Sequence, residues 1–97
     1  MKLRYAERAI ADLEAIQTYI AQHNPRASAA VGERIRNAIE LLADFPRLGR
    51  ARDNEVRVLP IVTNPYVVYY SVDEDADEVV ILHVRHGRRR PPKMGEL

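Results

Sequence analysis

The segment HVRHGRRRPP, His83 to Pro92, concentrates the residues best suited to chemistry, with two histidines and four arginines in ten positions. Histidine exchanges a proton near neutral pH, and arginine binds phosphates or carboxylates through paired hydrogen bonds. We expect His86, at the exit of an apolar run, to be accessible and able to act as an acid or base. His83 lies inside the run and is more typical of a structural histidine. We do not expect a metal site, because strand residues three apart point to opposite faces and no clear third ligand accompanies the pair.

A second candidate, Arg57, lies in EVRVLPI, where it alternates with valines as Arg85 does further along. If both strands show these residues on one exposed face, the arginines form a patch suited to phosphates or an acidic peptide. The residues alone leave this patch and an ordinary solvated charge run equally open. The candidate contact residues are Arg57, Arg85, His86, Arg88, Arg89 and Arg90. Only His86 and Arg57 are candidates for catalysis.

Three tyrosines follow one another closely in YVVYYSV. On a strand Tyr66 and Tyr70 share one face with Val68, while Tyr69 shares the other with Val67. Core packing explains most of these rings better than stacking on nucleic-acid bases.

The spacing of apolar residues is typical of helices in the first half of the chain and of strands in the second half. Apolar residues step by three and four through two stretches, which predicts two amphipathic helices. Asn24 and Pro25 divide them as N-cap and first residue of the second helix, and Phe45-Pro46 ends that helix before the turn PRLGR. The expected stripes are Ala6, Ala9, Ile10, Leu13, Ile16 and Ile20 on the first helix, and Ala27, Val31, Ile35, Ala38, Ile39, Leu42 and Phe45 on the second. The short connection favours an antiparallel helical hairpin.

The second half predicts strands in EVRVLPI, YVVYYSV and EVVILHVRH, joined by VTNP and DEDAD. The last two strands are expected at the centre of the sheet, and Pro60 places the first on the outside. KLRY adds a short strand before the helices. The predicted class is α+β: a short N-terminal strand and a helical hairpin packed on a mainly antiparallel sheet of three to four strands, in the order β-α-α-β-β-β. Residues 1–97 form one domain, with a loose tail from about residue 91.

Composition narrows the function classes. The 97 residues are 46% hydrophobic, contain no cysteine and carry a net charge of only +1. Disulfide scaffolds, thiolate zinc sites and cysteine nucleophiles are therefore excluded, and a general nucleic-acid coat protein is not expected. No long apolar run follows Met1, so we expect no signal peptide, no membrane span and a cytoplasmic protein. We expect no cofactor.

Nearly the whole chain, from Tyr5 to about Arg90, resembles the RelE/ParE superfamily of bacterial toxins from type II toxin–antitoxin systems, and the ParE-like branch most closely. The phrases FPRLGR, PYVVYY and ILHVRHGRR, in that order, carry the resemblance. It implies a small α/β toxin that is neutralised by a cognate antitoxin. The C-terminal segment of the antitoxin is expected to wrap the toxin, and any contact with operator DNA is expected to be made by the antitoxin. RelE-like members cleave mRNA on the ribosome with basic strand residues and a C-terminal tyrosine; ParE-like members inhibit DNA gyrase.

Compared with the RelE-like pattern, the nuclease positions are mostly replaced. Leu59 follows Arg57 where spaced basic residues are expected, and Val67 stands where an arginine is expected. Arg88 and Arg89 persist, but no tyrosine follows them. The resemblance therefore implies a toxin that binds DNA gyrase without catalysis of its own. A ribosome-dependent endoribonuclease using His86 and Arg57, and a non-toxic module that only binds its antitoxin, remain as alternatives.

Overall fold

Two helices pack on one five-stranded sheet in the computed structural model, which describes residues 1–62 and 65–87. The elements are β1 (Lys2–Tyr5), α1 (Glu7–His23), α2 (Pro25–Asp44), β2 (Arg50–Ala51), β3 (Arg57–Pro60), β4 (Tyr66–Asp73) and β5 (Glu78–His86). The strand order is β1-β5-β4-β3-β2, with β1 parallel to β5 and the other pairs antiparallel. The predicted α+β class, with its short first strand and helical pair, is confirmed. Neither described helix combines the length and hydropathy of a membrane span.

The helix boundaries follow the local sequence signals. Oδ1 of Asn24 accepts a hydrogen bond from the Ala27 N–H, and Pro25 opens α2 directly, as predicted. Two residues assigned to the apolar stripes are instead exposed, Ile10 at 46% and Phe45 at 59%. Ala9 fills the core position beside Ile10, while Phe45 is the C-cap of α2, where the backbone has left helical geometry.

The sheet has more strands than the three to four predicted. β4 and β5 lie at its centre as expected, and Pro60 is the last residue of β3. The additional strand is β2, which pairs Arg50 with Val58 and Ala51 with Arg57 and begins at the last residue of the predicted turn PRLGR. β3 is consequently not outermost. Two residues are too few to show a strand period in the sequence.

The core lies mainly between the helices and the sheet. Along β4, Tyr66, Val68 and Tyr70 belong to this helix-side core, while Tyr69 joins a separate cluster with Val67. Both the alternation and the packing role predicted for the tyrosines are therefore confirmed. The buried members of the helix-side core are Ala9, Ile20, Ile35, Ile39, Leu42, Ile61, Tyr66, Val68, Tyr70, Val79, Ile81 and Val84.

The hydroxyl of Tyr70 fastens the loop after α2 to the sheet. It accepts a hydrogen bond from the Gly49 N–H and donates one to the Pro46 carbonyl, both at 2.8 Å. A Cβ on Gly49 would lie 2.7 Å from this hydroxyl and 2.7 Å from the Val58 carbonyl oxygen, so only glycine fits. Burial raises the pKa of the Tyr70 phenol, opposed in part by the Gly49 hydrogen bond and the Arg57 charge. The hydroxyl therefore stays protonated and able to donate.

Replacing Tyr70 with phenylalanine should destabilise the fold by about 1–3 kcal/mol, because the buried Gly49 N–H loses its acceptor. Tyr69→Phe is the matched control, since the Tyr69 hydroxyl makes no hydrogen bond within the described residues, and its cost should stay below about 0.5 kcal/mol. Urea unfolding of both variants measures the difference. Equal free energies of unfolding would show that the hydroxyl does not fasten the loop.

Candidate functional site

The C-terminal half of β5 extends past the end of β1. The parallel pairing of β1 ends with Tyr5 opposite Ile81, and the Ala6 N–H donates to the Ile81 carbonyl at 2.9 Å as the chain turns into α1. β5 continues to His86. Within the described residues, that stretch of β5 has β4 on one side and no strand on the other, and α1 packs against it.

A bulge changes the register of β5 at this point. Tyr70 pairs with Ile81 and Tyr69 with His83, so Leu82 is the extra residue on β5. Bulges bend a strand and redirect its side chains. Here the bulge immediately precedes the histidines that the sequence singles out.

Asp12 of α1 supplies the hydrogen-bond acceptor at the exposed edge of β5. Its Oδ2 accepts from the Val84 N–H at 3.0 Å and lies 2.5 Å from Nδ1 of His83. Its Oδ1 accepts from Nε of Arg8 at 3.3 Å. One carboxylate thus connects the helix to the strand just beyond the end of β1.

His83 is buried, with 1% of its surface exposed, as expected of a structural histidine. Burial lowers the pKa of its imidazole; the Asp12 carboxylate opposes this, and the charges of Arg8 and Arg85 lower the pKa further. The nearby carboxylate favours the tautomer with its proton on Nδ1, which leaves Nε2 as an acceptor. Both ring nitrogens are buried and neither makes a hydrogen bond of acceptable geometry among the described residues, although Nδ1 lies 2.5 Å from the Asp12 carboxylate. The imidazole is therefore a neutral base with one unused lone pair.

A groove of about 680 Å³ lies between α1 and the adjoining ends of β4 and β5. His86 lines it and meets the Tyr66 ring edge-on, with ring centroids 5.7 Å apart. Tyr19, which is 58% exposed, lines it from α1. The polar and aromatic lining residues are Arg8, Asp12, Tyr19, Tyr66, His83, Arg85 and His86. This combination of apolar walls and a few convergent polar groups is typical of binding sites.

Arg57 lies far from this groove. Its Nη1 donates to the Gly49 carbonyl at 2.8 Å, and it pairs across the sheet with Tyr70. Arg85 pairs with Val67, three residues from Tyr70 on β4, so the two arginines lie on opposite faces of the sheet. They do not form the shared patch that the sequence left open. Arg57 also lies far from His86. Their partners on β4, Tyr70 and Tyr66, are four residues apart, and one strand spacing separates each from its partner, so the two Cα atoms lie roughly 16 Å apart.

The sheet face opposite the helices carries a small apolar cluster. Buried Val56, Val58 and Tyr69 form it, with Val67 and Leu82 packed against them. The Arg52 guanidinium lies 5.8 Å from the centre of the Tyr69 ring. A second groove of about 750 Å³ borders this face, and its acidic lining residues are Asp53, Glu55, Asp73, Glu74 and Asp75. Arg47 and Arg57 also line this groove, so the face carries charges of both signs around its apolar cluster.

The remaining predicted contact residues, Arg88, Arg89 and Arg90, lie outside the described residues, as does the tail from residue 91. Arg8 and Asp12 were not among the site residues predicted from the sequence. Their spacing of four on α1 is a detectable ion-pair signal, but nothing local indicates that Asp12 faces β5.

The chain matches the family model described as "ParE toxin of type II toxin-antitoxin system, parDE" over residues 3–91. It is also 41% identical over 83 residues to Toxin RelE2 of Caulobacter vibrioides, covering 84% of this chain and 90% of that protein. The chain therefore belongs to the ParE toxin family, within the RelE/ParE toxins of type II toxin–antitoxin systems.

Solved structures confirm the fold. The chromosomal ParDE system of P. aeruginosa contains a chain with a TM-score of 0.76 and 23% identity, covering 89% of this chain and 95% of that chain. A chain of the intact E. coli RelBE toxin–antitoxin complex has a TM-score of 0.70 and 16% identity, covering 91% of this chain and 98% of that chain. Because ParE and RelE toxins match almost equally well, the fold does not distinguish their targets.

The stability of the protein should fall as the pH is lowered below about 6.5, the ordinary pKa of histidine. The folded state lowers the pKa of His83, so the neutral imidazole is favoured by folding. Its contribution to stability is full when the pH is above the pKa of histidine in the unfolded chain. It is lost as the pH falls from there through the pKa of His83 in the folded protein. Urea unfolding between about pH 7.5 and 5.5 should show a smaller loss for His83→Gln than for wild type.

His23→Gln is the matched control for this measurement, because His23 is an exposed histidine on the same helix as Asp12. It should retain the wild-type dependence on pH. If His83→Gln also retained that dependence, His83 would not be responsible for it.

Proposed function

We propose that this toxin arrests growth by binding DNA gyrase and stalling it on cleaved DNA, and that it has no catalysis of its own. The observation that carries the proposal is the match to the ParE toxin family across residues 3–91. The proposed site of action is the cytoplasm, where gyrase and its DNA are found.

The replaced nuclease positions support a binding mode of action. Leu59 and Val67, which stand where basic residues are expected, pack against apolar clusters on the two faces of the sheet. Handling a phosphodiester requires charge stabilisation and proton transfer, which these side chains do not offer. The sequence after Arg90, PPKMGEL, has no tyrosine.

The remaining catalytic candidates do not converge. Arg57 and His86 are separated by roughly 16 Å in the sheet, whereas an acid–base pair must contact one scissile group. Arg57 is moreover engaged with the Gly49 carbonyl. We therefore assign both residues to packing or contact rather than to catalysis.

A cognate antitoxin is the proposed regulatory partner. The similar folds from P. aeruginosa and E. coli come from a ParDE system and a RelBE toxin–antitoxin complex. We propose that the antitoxin covers the toxin, and that any contact with DNA outside the gyrase complex is made by the antitoxin.

Ribosome-dependent cleavage of mRNA is the second candidate. A relative that is 41% identical carries the name RelE2, and His86 lines an open groove. A third possibility, a non-toxic module that only binds antitoxin, is distinguished from both because its expression would leave growth unchanged.

Purified toxin added to gyrase, supercoiled DNA and ATP should inhibit supercoiling and increase the amount of protein-linked, cleaved DNA. The expected cause is a bound toxin that prevents the enzyme from completing strand passage. Toxin preincubated with an excess of its antitoxin is the control and should have no effect. Normal supercoiling together with no accumulation of cleaved DNA would contradict the gyrase proposal.

Replacing Arg88, Arg89 and Arg90 together with alanine should reduce growth arrest on induction while leaving the melting temperature of the toxin unchanged, because the three charges are proposed to contact the target. The matched control replaces Arg26, Arg34 and Arg36, exposed arginines of α2, with alanine. If both triple variants arrest growth as wild type does, the basic run has no role in toxicity.

A further inference from the structure

The groove on the sheet face opposite the helices, called the acidic groove below, has an apolar floor and a mainly acidic rim. Val56 and Leu82 line it and belong to the apolar cluster of this face. Five carboxylates and two guanidinium groups of the described residues also line it, so the rim carries an excess of three negative charges. Such a groove favours an occupant that is both basic and apolar. The charged lining residues are Arg47, Asp53, Glu55, Arg57, Asp73, Glu74 and Asp75.

Two of these carboxylates are free to bind a cation from outside. Glu74 pairs with Arg47, and Asp53 accepts hydrogen bonds from two backbone N–H groups of its own turn. The exposed side chains of Glu55 and Asp75 have no hydrogen-bond or ion-pair partner within residues 1–62 and 65–87. An arginine can therefore pair with either of them without displacing an existing partner.

A basic and apolar segment of this kind is present in the sequence itself. After Gly87 the chain continues as RRRPPKMGEL. Its first three residues, the basic run Arg88–Arg90, match the excess charge of the acidic groove in number and are opposite in sign. Pro91, Pro92 and Met94 follow with apolar side chains, and proline loses little backbone freedom when it binds.

The length of the β4–β5 hairpin prevents the basic run from reaching the acidic loop of its own chain. Asp73 pairs with Glu78 at the loop end of the hairpin, and His86 lies eight residues further along β5. Eight strand residues span roughly 26 Å. Arg90 follows His86 by four positions, which reach at most about 14 Å, and an arginine side chain is too short to close the difference. A basic run bound in the acidic groove must therefore come from a second copy.

We propose that two copies of this chain form a dimer in which the basic run of each copy binds in the acidic groove of the other. The two β4–β5 hairpins lie antiparallel with the sheet faces opposite the helices turned towards each other, and the arginines pair with Glu55 and Asp75. The reciprocal contact closes at two copies, because both partners use the same pair of surfaces.

The dimer has a consequence for the activity of the toxin. The basic run is also proposed to contact gyrase, so self-association withholds it from that target. This consequence rests on the proposed function, whereas the dimer itself does not.

Sedimentation velocity of the purified toxin measures the dimer directly. At low ionic strength the wild type should sediment as a dimer, and added salt should weaken it because exposed charges are screened. Replacing the basic run with alanine should raise the dissociation constant at least tenfold. The matched control is the alanine variant of Arg26, Arg34 and Arg36, which should dimerise as wild type does.

A second pair of variants tests the groove. Glu55→Gln combined with Asp75→Asn should weaken the dimer at least tenfold, because the two free carboxylates are then neutral. Glu14→Gln combined with Glu33→Gln, at exposed positions of α1 and α2, is the matched control and should leave the dimer unchanged. Circular dichroism establishes that each variant is folded.

Charge reversal tests whether the two surfaces pair directly. One variant carries Arg88→Glu, Arg89→Glu and Arg90→Glu. The other carries Glu55→Lys and Asp75→Lys. Each should be monomeric alone, whereas an equimolar mixture should form a heterodimer, because both reciprocal contacts are then between opposite charges.

Three results would contradict the proposal. The first is a wild type that stays monomeric at every protein and salt concentration. The second is a dimer that persists in both charge-reversed variants, which would place the interface elsewhere. The third is a mixture of the two folded, charge-reversed variants that remains monomeric. None of these measurements involves gyrase, so they do not depend on the proposed function.

Discussion

The Asp12 carboxylate determines how the helical layer meets the end of the sheet. β1 provides β5 with a neighbouring strand only as far as Ile81, and α1 then brings Asp12 to the next edge N–H, at Val84. The same carboxylate lies 2.5 Å from the buried imidazole of His83. An unpaired strand N–H is costly, so the Asp12 carboxylate stabilises this edge of β5 by accepting from Val84 while it lies against the buried imidazole. The candidate groove is located where it is because β1 ends and α1 begins there.

Much of the fold could be predicted from the sequence, because its signals are local. The Asn24-Pro25 pair divides the helices through capping chemistry, and the alternation from Tyr66 to Tyr70 assigns each ring to its face. The two-residue β2 could not be predicted, because its existence depends on partners in β3 rather than on its own pattern. The exposure of Phe45 likewise depends on where the helical backbone ends.

Less of the candidate site could be predicted. The sequence drew attention to His83, His86 and the arginines but not to Asp12, whose partner lies 72 positions away in the chain. The bulge at Leu82 and the register that places Arg57 opposite Tyr70 are also set by pairing between strands. A basic patch uniting Arg57 with Arg85 was a reasonable alternative from composition, but the two side chains lie on opposite faces. Pairing between strands that are far apart in the sequence determines which charged side chains lie on the same face.

We propose that this toxin acts by contact and does not cut RNA, and primer extension on translated messages after toxin induction distinguishes these two modes of action. We expect growth arrest with the same pattern of extension products as in uninduced cells. Discrete new cuts in ribosomal register, abolished when the antitoxin is co-expressed, would contradict it. They would assign the toxin a ribosome-dependent nuclease activity despite the separation of Arg57 from His86.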